Sequence, residues 1–230
     1  MGVLAVIPAR GGSKGIPRKN LRLLCGTPLV VHAIRTALAA KRIDRVVLST
    51  DDDEIAEVGS EAGAEVIMRP SHLADDAAPT IPVLQHAIDT LANGGWQATV
   101  VVLLEPTSPF RSAATVDACV TKLDDDKVQS AITVTQLERN PYNIFTVNDG
   151  RAVRFIREPE GVFTRRQQFT HLKRLNGCVY VMRAGLLRSG RILGEPMQVV
   201  EMTGEESINI DTPLDMEIAN LVATQIWADR

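Results

Sequence analysis

The sequence lacks the features that would place it in several specialised classes of protein. Its 230 residues include only three cysteines and 4% aromatic side chains, and no apolar run approaches the roughly 20 residues that a membrane helix needs. Cys25, Cys119 and Cys178 are odd in number and far apart, so the sequence indicates neither a disulfide framework nor a zinc knuckle. The N-terminal apolar run is too short for a secretory signal. These absences predict a cytoplasmic protein that does not contact membranes.

Acidic residues are absent from the first part of the chain. No Asp or Glu precedes Asp44, whereas eight lysines and arginines do, so the first 43 residues carry +8 although the whole chain carries −3. An otherwise ordinary composition, with 45% hydrophobic and 23% charged residues, is typical of a globular domain. The charge distribution indicates a local anion site. A second basic stretch, residues 151–174, contains no nucleic-acid-binding motif, and we expect no nucleic-acid partner.

Short apolar runs alternate with segments of helical periodicity in the first half. The predicted strands are residues 3–7, 45–50, 64–68 and 99–104, and the last, the most hydrophobic, is expected near the centre of a sheet. Thr27 and Pro28 predict the N-cap and first residue of a helix. This order indicates an α/β fold in which a mostly parallel sheet is flanked by helices. Ligands of such sheets bind at the carboxyl ends of the strands.

The second half of the chain has a different pattern. Residues 130–135 and 174–182 predict further strands of the same sheet, and Pro213 begins a last amphipathic helix. Between those strands, residues 137–175 are interpreted as an excursion from the sheet with a tight turn at Asn148-Asp149-Gly150. The whole chain, 1–230, is predicted to be a single domain.

The segment directly after the first predicted strand, residues 9–20, has the composition of a phosphate-binding loop. Three glycines and a serine let backbone N–H groups approach a phosphate chain, and Arg10, Lys14 and Lys19 supply cations. The spacing is neither that of a P-loop nor the G-x-G-x-x-G fingerprint, which argues against kinases and dinucleotide-binding enzymes.

The sequence of this loop resembles the signature of the acylneuraminate cytidylyltransferases, which make CMP-sialic acid and related CMP-activated nine-carbon keto sugars. Further motifs of that family follow in order along nearly the whole chain. They are Ser49-Thr50-Asp51, Arg69-Pro70 with Leu73-Ala74-Asp75-Asp76, residues 106–111 (PTSPFR), Arg165-Arg166-Gln167, Asn176-Gly177 before Tyr180, and residues 210–215 (IDTPLD). The resemblance implies a Rossmann-like fold of the nucleotide-diphospho-sugar transferase type.

The resemblance also implies which residues bind CTP. The loop residues that match the phosphate and ribose site are Arg10, Gly11, Gly12, Ser13, Lys14, Lys19 and Asn20, and those near the cytosine are Arg69, Ala78 and Thr80. Arg10, Lys19 and Asp211 are the expected catalytic residues. Related enzymes commonly carry two aspartates that bind Mg²⁺ with the phosphates, whereas this chain has Asn209 beside Asp211. The amide oxygen of Asn209 can ligate a hard cation without adding charge, so Asp211 is expected to carry more of the metal.

The sugar site departs further from the sialic-acid enzymes. The expected sugar-binding residues are Glu105, Thr107, Ser108, Asn143, Arg166, Arg174, Asn176 and Tyr180. Glu105 replaces a common glutamine and Asn143 lies near a position that is often basic. Glu105 and the string Arg139-Asn140-Pro141-Tyr142 are similar to the legionaminate-type branch.

The expected activity is a Mg²⁺-dependent transfer of CMP from CTP to the anomeric hydroxyl of a nine-carbon 2-keto sugar acid, with release of pyrophosphate. Two alternatives remain at this stage: a nucleotidyltransferase of the same fold that uses another keto sugar or a sugar phosphate, and a nucleotide-binding regulator without turnover. The family resemblance further implies a homodimer in which the excursion at 137–175 reaches the partner's active site.

Overall fold

A computed structural model describes residues 2–75, 79–139, 141–156 and 172–227 of the chain. The strands are β1 (Gly2–Pro8), β2 (Leu23–Leu24), β3 (Thr27–Pro28), β4 (Arg45–Thr50), β5 (Glu65–Met68), β6 (Ala98–Leu103), β7 (Ser130–Gln136), β8 (Phe145–Asn148), β9 (Arg151–Arg154), β10 (Lys173–Arg183) and β11 (Met197–Glu201). The helices are α1 (Leu29–Ala39), α2 (Asp53–Glu61), α3 (Thr80–Asn93), α4 (Ala113–Thr121), α5 (Ala184–Arg188) and α6 (Pro213–Ile226).

Among the described residues, seven strands form the central sheet, in the order β11-β7-β10-β6-β1-β4-β5. Strands β6, β1, β4 and β5 are mutually parallel, and β11 is parallel to β7, while β10 runs antiparallel to both of its neighbours. Leu4–Ile7 of β1 are fully buried, as expected for a strand covered by helices on both faces. The predicted mostly parallel α/β sheet is confirmed, and so is the central position of β6.

The predicted start of the first helix is wrong. Thr27 does not cap α1; instead Thr27–Pro28 pairs with Leu23–Leu24 as a two-residue hairpin, and α1 begins at Leu29 without a side-chain cap. The turn between the two strands places Cys25 at φ 48° and Gly26 at φ 75°. Two successive positive φ values are the geometry of a tight hairpin turn. The turn places Thr27 in an extended strand paired with Leu24, so the helix starts only after it.

Three hydrophobic clusters of described residues hold these layers together. Residues of α1, α2 and α4 cover one face of the sheet, and residues of α3 and α5 cover the other. A smaller cluster joins Ile16 in the loop after β1 to Phe110, Ile210 and the buried face of α6. This third cluster fastens the glycine-rich loop to the segment that precedes α6.

Strands β8 and β9 form a separate exposed hairpin within the predicted excursion. Ile144, Phe145, Val147, Val153 and Phe155 are apolar and exposed there, the last by 69%. Asn140 and residues 157–171 of the excursion lie outside the described residues, so the predicted domain organisation and the dimer stay predictions.

Across the described ranges, no helix combines the length and the apolar character that crossing a membrane requires. All three cysteines are free, with Cys25 exposed and the other two buried.

Candidate functional site

A polar cleft of about 450 Å³ opens at the carboxyl ends of β1, β5 and β6. Eleven of the residues predicted to bind ligand or metal line it: Arg10, Ser13, Lys14, Lys19, Asn20, Arg69, Thr80, Glu105, Thr107, Asn209 and Asp211. The structure therefore brings the predicted phosphate, base, sugar and metal residues to one place, although they are spread over some 200 positions of the sequence.

The glycine-rich loop is anchored at both ends by backbone and side-chain contacts. The Ala9 N–H donates to the Ser49 carbonyl at 2.9 Å, and the Asn20 side chain donates to the Arg10 carbonyl at 2.9 Å. Arg18, in the left-handed region at φ 56°, pairs through its guanidinium with Asp52 and Glu54 at the start of α2. Hydrogen bonding to Arg18 lowers the pKa of Asp52 from its ordinary value. The loop is thus held across the top of β1 and β4.

Two glycines of the loop allow close approaches that no other residue permits. A Cβ on Gly15 would lie 2.3 Å from the backbone oxygen of Asp211, and a Cβ on Gly11 would lie 2.5 Å from an Asp52 carboxylate oxygen. Real Cβ contacts are not this short, so Gly15 lets the loop pack directly on the segment 209–211, and Gly11 lets it pack against Asp52.

The segment 209–211 presents two side chains to the cleft and buries the one between them. Ile210 is fully buried, and its N–H donates to the Thr107 carbonyl at 2.8 Å. The flanking Asp211 accepts hydrogen bonds from the Asn209 amide and from Lys19 Nζ, the latter at 2.8 Å. Alternation along an extended segment explains why 209 and 211 share one side. After them, Thr212 and Asp215 form a capping box that starts α6.

Arg69 contributes a buried cation to the wall of the cleft. Its side chain is 4% exposed, and its Nη2 donates to Asp51 Oδ1 at 3.4 Å. Burial lowers the pKa of this guanidinium, while the charge of Asp51 raises it. Within the described chain, the Arg69 Nε finds no hydrogen-bond partner. A buried donor of this kind is costly to leave unmet, which suits a group that completes its bonding with a ligand.

Glu105 follows β6 and reaches the cleft from a buried loop. Burial raises the pKa of its carboxyl above the ordinary value, the Arg111 charge lowers it, and Asp211 raises it further. The fully buried Arg111 holds this loop in place, since its Nη1 donates to the carbonyls of Glu105, Ser108 and Cys178 at 2.7, 2.9 and 3.2 Å. Burial lowers the pKa of Arg111 to about 10.

Several predicted residues lie beside the lining and not in it. The Gly11 N–H donates a hydrogen bond to the Asp51 carboxylate, and Gly12 is exposed. The Ser108 hydroxyl donates to the Asn209 amide oxygen at 3.4 Å. Tyr180 is half-buried on β10; burial, then the charge of Glu105, raises the pKa of its phenol. Arg174 is exposed on β10, and Asn143 is exposed before β8.

Asn176 is held in a buried network of its own. Its oxygen accepts from Thr133 Oγ1 at 2.6 Å and from the Cys178 N–H at 3.2 Å, and its nitrogen donates to Ser207 Oγ at 2.9 Å. The side chain therefore ties β10 to β7 and to the loop after β11. Ala78 and Arg166, predicted to be near the base and the sugar carboxylate, lie outside the described residues.

Sequence reasoning did not assign a site role to Gly15, Asp51, Asp75 or Arg111. Gly15 and Asp75 line the cleft. Asp51 and Arg111 form hydrogen bonds with the lining residues Arg69 and Glu105, respectively. All four stand inside or next to motifs that carried the family resemblance, which was the available signal. Their roles depend on contacts between distant segments, and spacing along the chain does not reveal these.

The arrangement suits binding of a polyanion together with a hard cation. Three lysines and arginines of the loop and the buried Arg69 line the same cleft as the side-chain oxygens of Asp211, Asn209 and Glu105. In the portion of the chain that the structure describes, no three His, Cys, Asp or Glu side chains cluster closely enough to hold a metal by themselves. A cation here would have to share its ligands with an oxygen-rich substrate.

Comparison with known proteins finds cytidylyltransferases. The profile of the cytidylyltransferase family matches residues 4–189. The chain is 34% identical to the CMP-N,N'-diacetyllegionaminic acid synthase of Legionella pneumophila, over 94% of this chain and 93% of that protein. It is 27% identical to the N-acylneuraminate cytidylyltransferase of Escherichia coli, over 94% of this chain and 51% of that protein.

Solved structures share the fold. A CMP:2-keto-3-deoxy-manno-octonic acid synthetase complexed with CTP superposes with a TM-score of 0.73 at 20% identity, covering 98% of this chain and 99% of that one. A 4-diphosphocytidyl-2C-methyl-D-erythritol synthase from Anaerococcus prevotii gives a TM-score of 0.64 at 16% identity, covering 100% and 96%. The resemblance inferred from the motifs is confirmed, and the chain belongs to the cytidylyltransferase family.

Proposed function

We propose that the protein transfers CMP from CTP to the anomeric hydroxyl of a nine-carbon 2-keto sugar acid, in a Mg²⁺-dependent reaction that releases pyrophosphate. The observation that carries the proposal is the meeting of Arg10 and Lys19 with Asp211 in one cleft that Glu105 also lines. Cations for a triphosphate, an oxygen ligand for a metal and an acceptor for sugar hydroxyls are the groups that this reaction needs in one site.

CTP would bind with its phosphates along the loop at residues 9–20 and its base toward Arg69. Arg10 and Lys19 would neutralise the charge that develops on the α-phosphate and on the leaving pyrophosphate. The buried Nε of Arg69, which lacks a partner within the described residues, would donate to an acceptor atom of the base. Thr80, at the start of α3, lines the same cleft.

The residues present fit Mg²⁺ bound together with the nucleotide. Asp211 offers a carboxylate that is 60% exposed, and Asn209 offers an amide oxygen. Mg²⁺ prefers oxygen ligands and usually takes one or two from the protein, the rest from phosphate and water. When bound, the ion would polarise the phosphate and lower the pKa of a hydroxyl next to it.

The acceptor would lie on the side of Glu105. The chain is 34% identical to a synthase named for CMP-N,N'-diacetyllegionaminic acid, a relative that supports a nine-carbon sugar acid. The Glu105 carboxylate can accept hydrogen bonds from sugar hydroxyl or amide N–H groups. Arg174 and Arg166 would pair with the sugar carboxylate, and Tyr180, Thr107, Ser108, Asn143 and Asn176 would form or support the remaining wall.

In the chemical step, the anomeric oxygen of the sugar attacks the α-phosphorus of CTP. A phosphorus–oxygen bond forms to the sugar, the bond to the bridging oxygen of the β-phosphate breaks, and pyrophosphate leaves with the electron pair. The hydroxyl proton passes to solvent. The protein's contribution is to align the two reactants and to offset the charge of the pyrophosphate through Arg10 and Lys19.

The test is pyrophosphate release by the purified full-length protein with Mg²⁺. CTP, UTP, GTP and ATP should each be paired with N,N'-diacetyllegionaminic acid, N-acetylneuraminic acid and an eight-carbon 2-keto sugar acid. The proposal expects turnover with CTP and a nine-carbon acid, with Lys19→Ala as the strongly impaired control. Turnover only with the eight-carbon acid, or only with a sugar 1-phosphate added as a fourth acceptor, would contradict the proposed acceptor. CTP binding without turnover would support a regulator instead.

We also propose that the protein is a homodimer that associates through residues 137–175. The exposed apolar side chains of the hairpin β8–β9 support this proposal. Light scattering should give twice the mass of 25.0 kDa, and Phe145→Asp with Val153→Asp should give a monomer. A wild-type monomer with full activity would contradict it.

A further inference from the structure

Asp51 lies between the phosphate loop and the buried arginine of the cleft. Its Oδ1 accepts the Gly11 N–H at 3.2 Å and Arg69 Nη2 at 3.4 Å. Gly11 follows β1, Asp51 follows β4 and Arg69 follows β5, and these three strands are adjacent in the sheet with β4 in the middle. One carboxylate oxygen just beyond the middle strand thus contacts residues just beyond both neighbouring strands.

The negative charge of Asp51 compensates the positive charge of the buried Arg69. A guanidinium whose side chain is 4% exposed needs a counter-charge, and Asp51 provides one while remaining 25% exposed itself. Arg10, on the loop, acts on Arg69 in the opposite sense as a like charge in the same cleft. Removal of Asp51 would take away the counter-charge of the buried Arg69, while the like charge of Arg10 would still act on it.

The backbone around Asp51 is fixed, so the carboxylate has little freedom to move elsewhere. The parallel ladder continues past the strand ends, with the Ala9 N–H on the Ser49 carbonyl at 2.9 Å and the Arg69 N–H on the Thr50 carbonyl at 2.8 Å. Gly11 leaves no room for a Cβ on the side of Asp52. The backbone segments that carry Gly11, Asp51 and Arg69 are therefore held in fixed positions relative to one another.

We propose that Asp51 is a positioning residue that couples recognition of the nucleotide base by Arg69 to the placement of the phosphate loop at Gly11. The inference rests on the proposed function, since it assigns Arg69 to the base and the loop to the triphosphate. Asp51 itself need not touch the nucleotide. It aims the Arg69 guanidinium into the cleft and keeps the loop N–H groups at a fixed distance from it.

The test compares Asp51→Asn and Asp51→Ala with Asp53→Asn. The asparagine keeps an acceptor for the Gly11 N–H but removes the charge opposite Arg69, and the alanine removes both. Asp53 is an exposed residue of the same acidic run, so Asp53→Asn makes the same charge change outside the cleft. The measurements are KM and kcat for CTP, the CTP-to-UTP preference, and the thermal midpoint.

The proposal expects Asp51→Asn to raise KM for CTP about 10-fold and to leave kcat within about 2-fold of the wild-type value. Asp51→Ala should raise KM for CTP further. The CTP-to-UTP preference should fall in both variants and stay unchanged in Asp53→Asn. In an Arg69→Ala background, Asp51→Asn should add almost nothing, because the charge it removes acts through Arg69.

A purely structural role for Asp51 would change the thermal midpoint and the active fraction but not the CTP-to-UTP preference, and that result would overturn the proposal. Equal effects of Asp51→Asn in the wild-type and Arg69→Ala backgrounds would overturn it too. If the wild-type protein neither binds nor turns over CTP, the proposed function fails instead. Where a variant fails to fold, titration of CTP into the soluble Asp51→Glu variant asks whether a displaced carboxylate alone weakens binding, and unchanged affinity and preference would count against the proposal.

Discussion

Lys19 Nζ donates to Asp211 Oδ1 at 2.8 Å, although the two residues are 192 positions apart in the chain. The contact joins the phosphate loop after β1 to the segment that precedes α6. Lys19 is 17% exposed and Asp211 is 60% exposed, so the pair sits at the mouth of the cleft with its carboxylate accessible. In the proposed enzyme this carboxylate would bind Mg²⁺, and Lys19 would then face the phosphates.

Lys19→Ala should lower kcat/KM for CTP by a factor on the order of 10² to 10³, as expected for the loss of an electrostatic donor to the transferring phosphate. The free energy of unfolding should change by less than about 1 kcal/mol, because one partner of the ion pair is largely exposed. Steady-state kinetics and urea unfolding measure the two quantities. The control is Lys41→Ala, which removes an exposed lysine outside the cleft and should leave kcat/KM unaltered. Equal kinetics for the two variants would refute the role of Lys19.

Gly15→Ala should disrupt CTP binding, because the new methyl group would meet the Asp211 carbonyl oxygen at 2.3 Å and push the loop away from the segment 209–211. We expect CTP affinity to fall at least about 10-fold by calorimetry, with a stability loss of about 1–3 kcal/mol from the clash. Gly185→Ala is the matched control, since no atom lies within 4 Å of the new Cβ and α5 should gain helix propensity. Unchanged CTP affinity in Gly15→Ala would show that the close packing is not needed.

The elements that sequence patterns predicted best are those in which one local signal decides the structure. The run at 45–50 coincides with β4, and the Thr212-Pro213 signal marks the start of α6. By contrast, β11 went unpredicted because it is a largely exposed edge strand without a buried apolar face. Thr27 was misassigned because the positive φ of Cys25, a residue without a strong turn preference, creates the hairpin.

The candidate site was predicted mainly through the motifs, and its internal contacts were not. Arg10, Lys19 and Asp211 do meet in the cleft. The contacts of Asp51 with Gly11 and Arg69, and of Arg111 with the Glu105 loop, join separate strand ends. Such contacts follow from strand order in the sheet, which residue spacing does not encode.

Asn209→Asp should tighten binding of the divalent cation about 10-fold, because a second carboxylate adds charge to the ligand set. Without metal the same change should lower stability, since the amide that donates to Asp211 becomes a like charge. Electron paramagnetic resonance of Mn²⁺, titrated in the presence of a non-hydrolysable CTP analogue, reports the affinity without turnover. Asn220→Asp, on the exposed side of α6, is the control. Equal Mn²⁺ affinity in Asn209→Asp and wild type would place the cation elsewhere.

The difference in the free energy of unfolding between Glu105→Gln and wild type should shift in favour of the variant as pH rises. Burial raises the pKa of Glu105 above its ordinary value of 4.5, so in the window above that value the folded state binds more protons than the unfolded state. Wild-type stability contributed by this group is therefore present below the window and lost as pH rises through the folded pKa. Urea unfolding at about pH 4.5 and about pH 7.5 measures the difference, with Glu61→Gln on the exposed end of α2 as the control. A stability difference for Glu105→Gln that does not grow with pH would mean that the carboxyl is not desolvated in the folded protein.

The most direct measurement of the central claim is mass-spectrometric detection of the product formed from CTP, Mg²⁺ and N,N'-diacetyllegionaminic acid or N-acetylneuraminic acid. We expect a CMP-sugar and one equivalent of pyrophosphate, formed with CTP in preference to UTP and formed much more slowly by Lys19→Ala. Absence of a CMP-sugar with every nine-carbon acid, under conditions where the protein is folded and binds CTP, would contradict it.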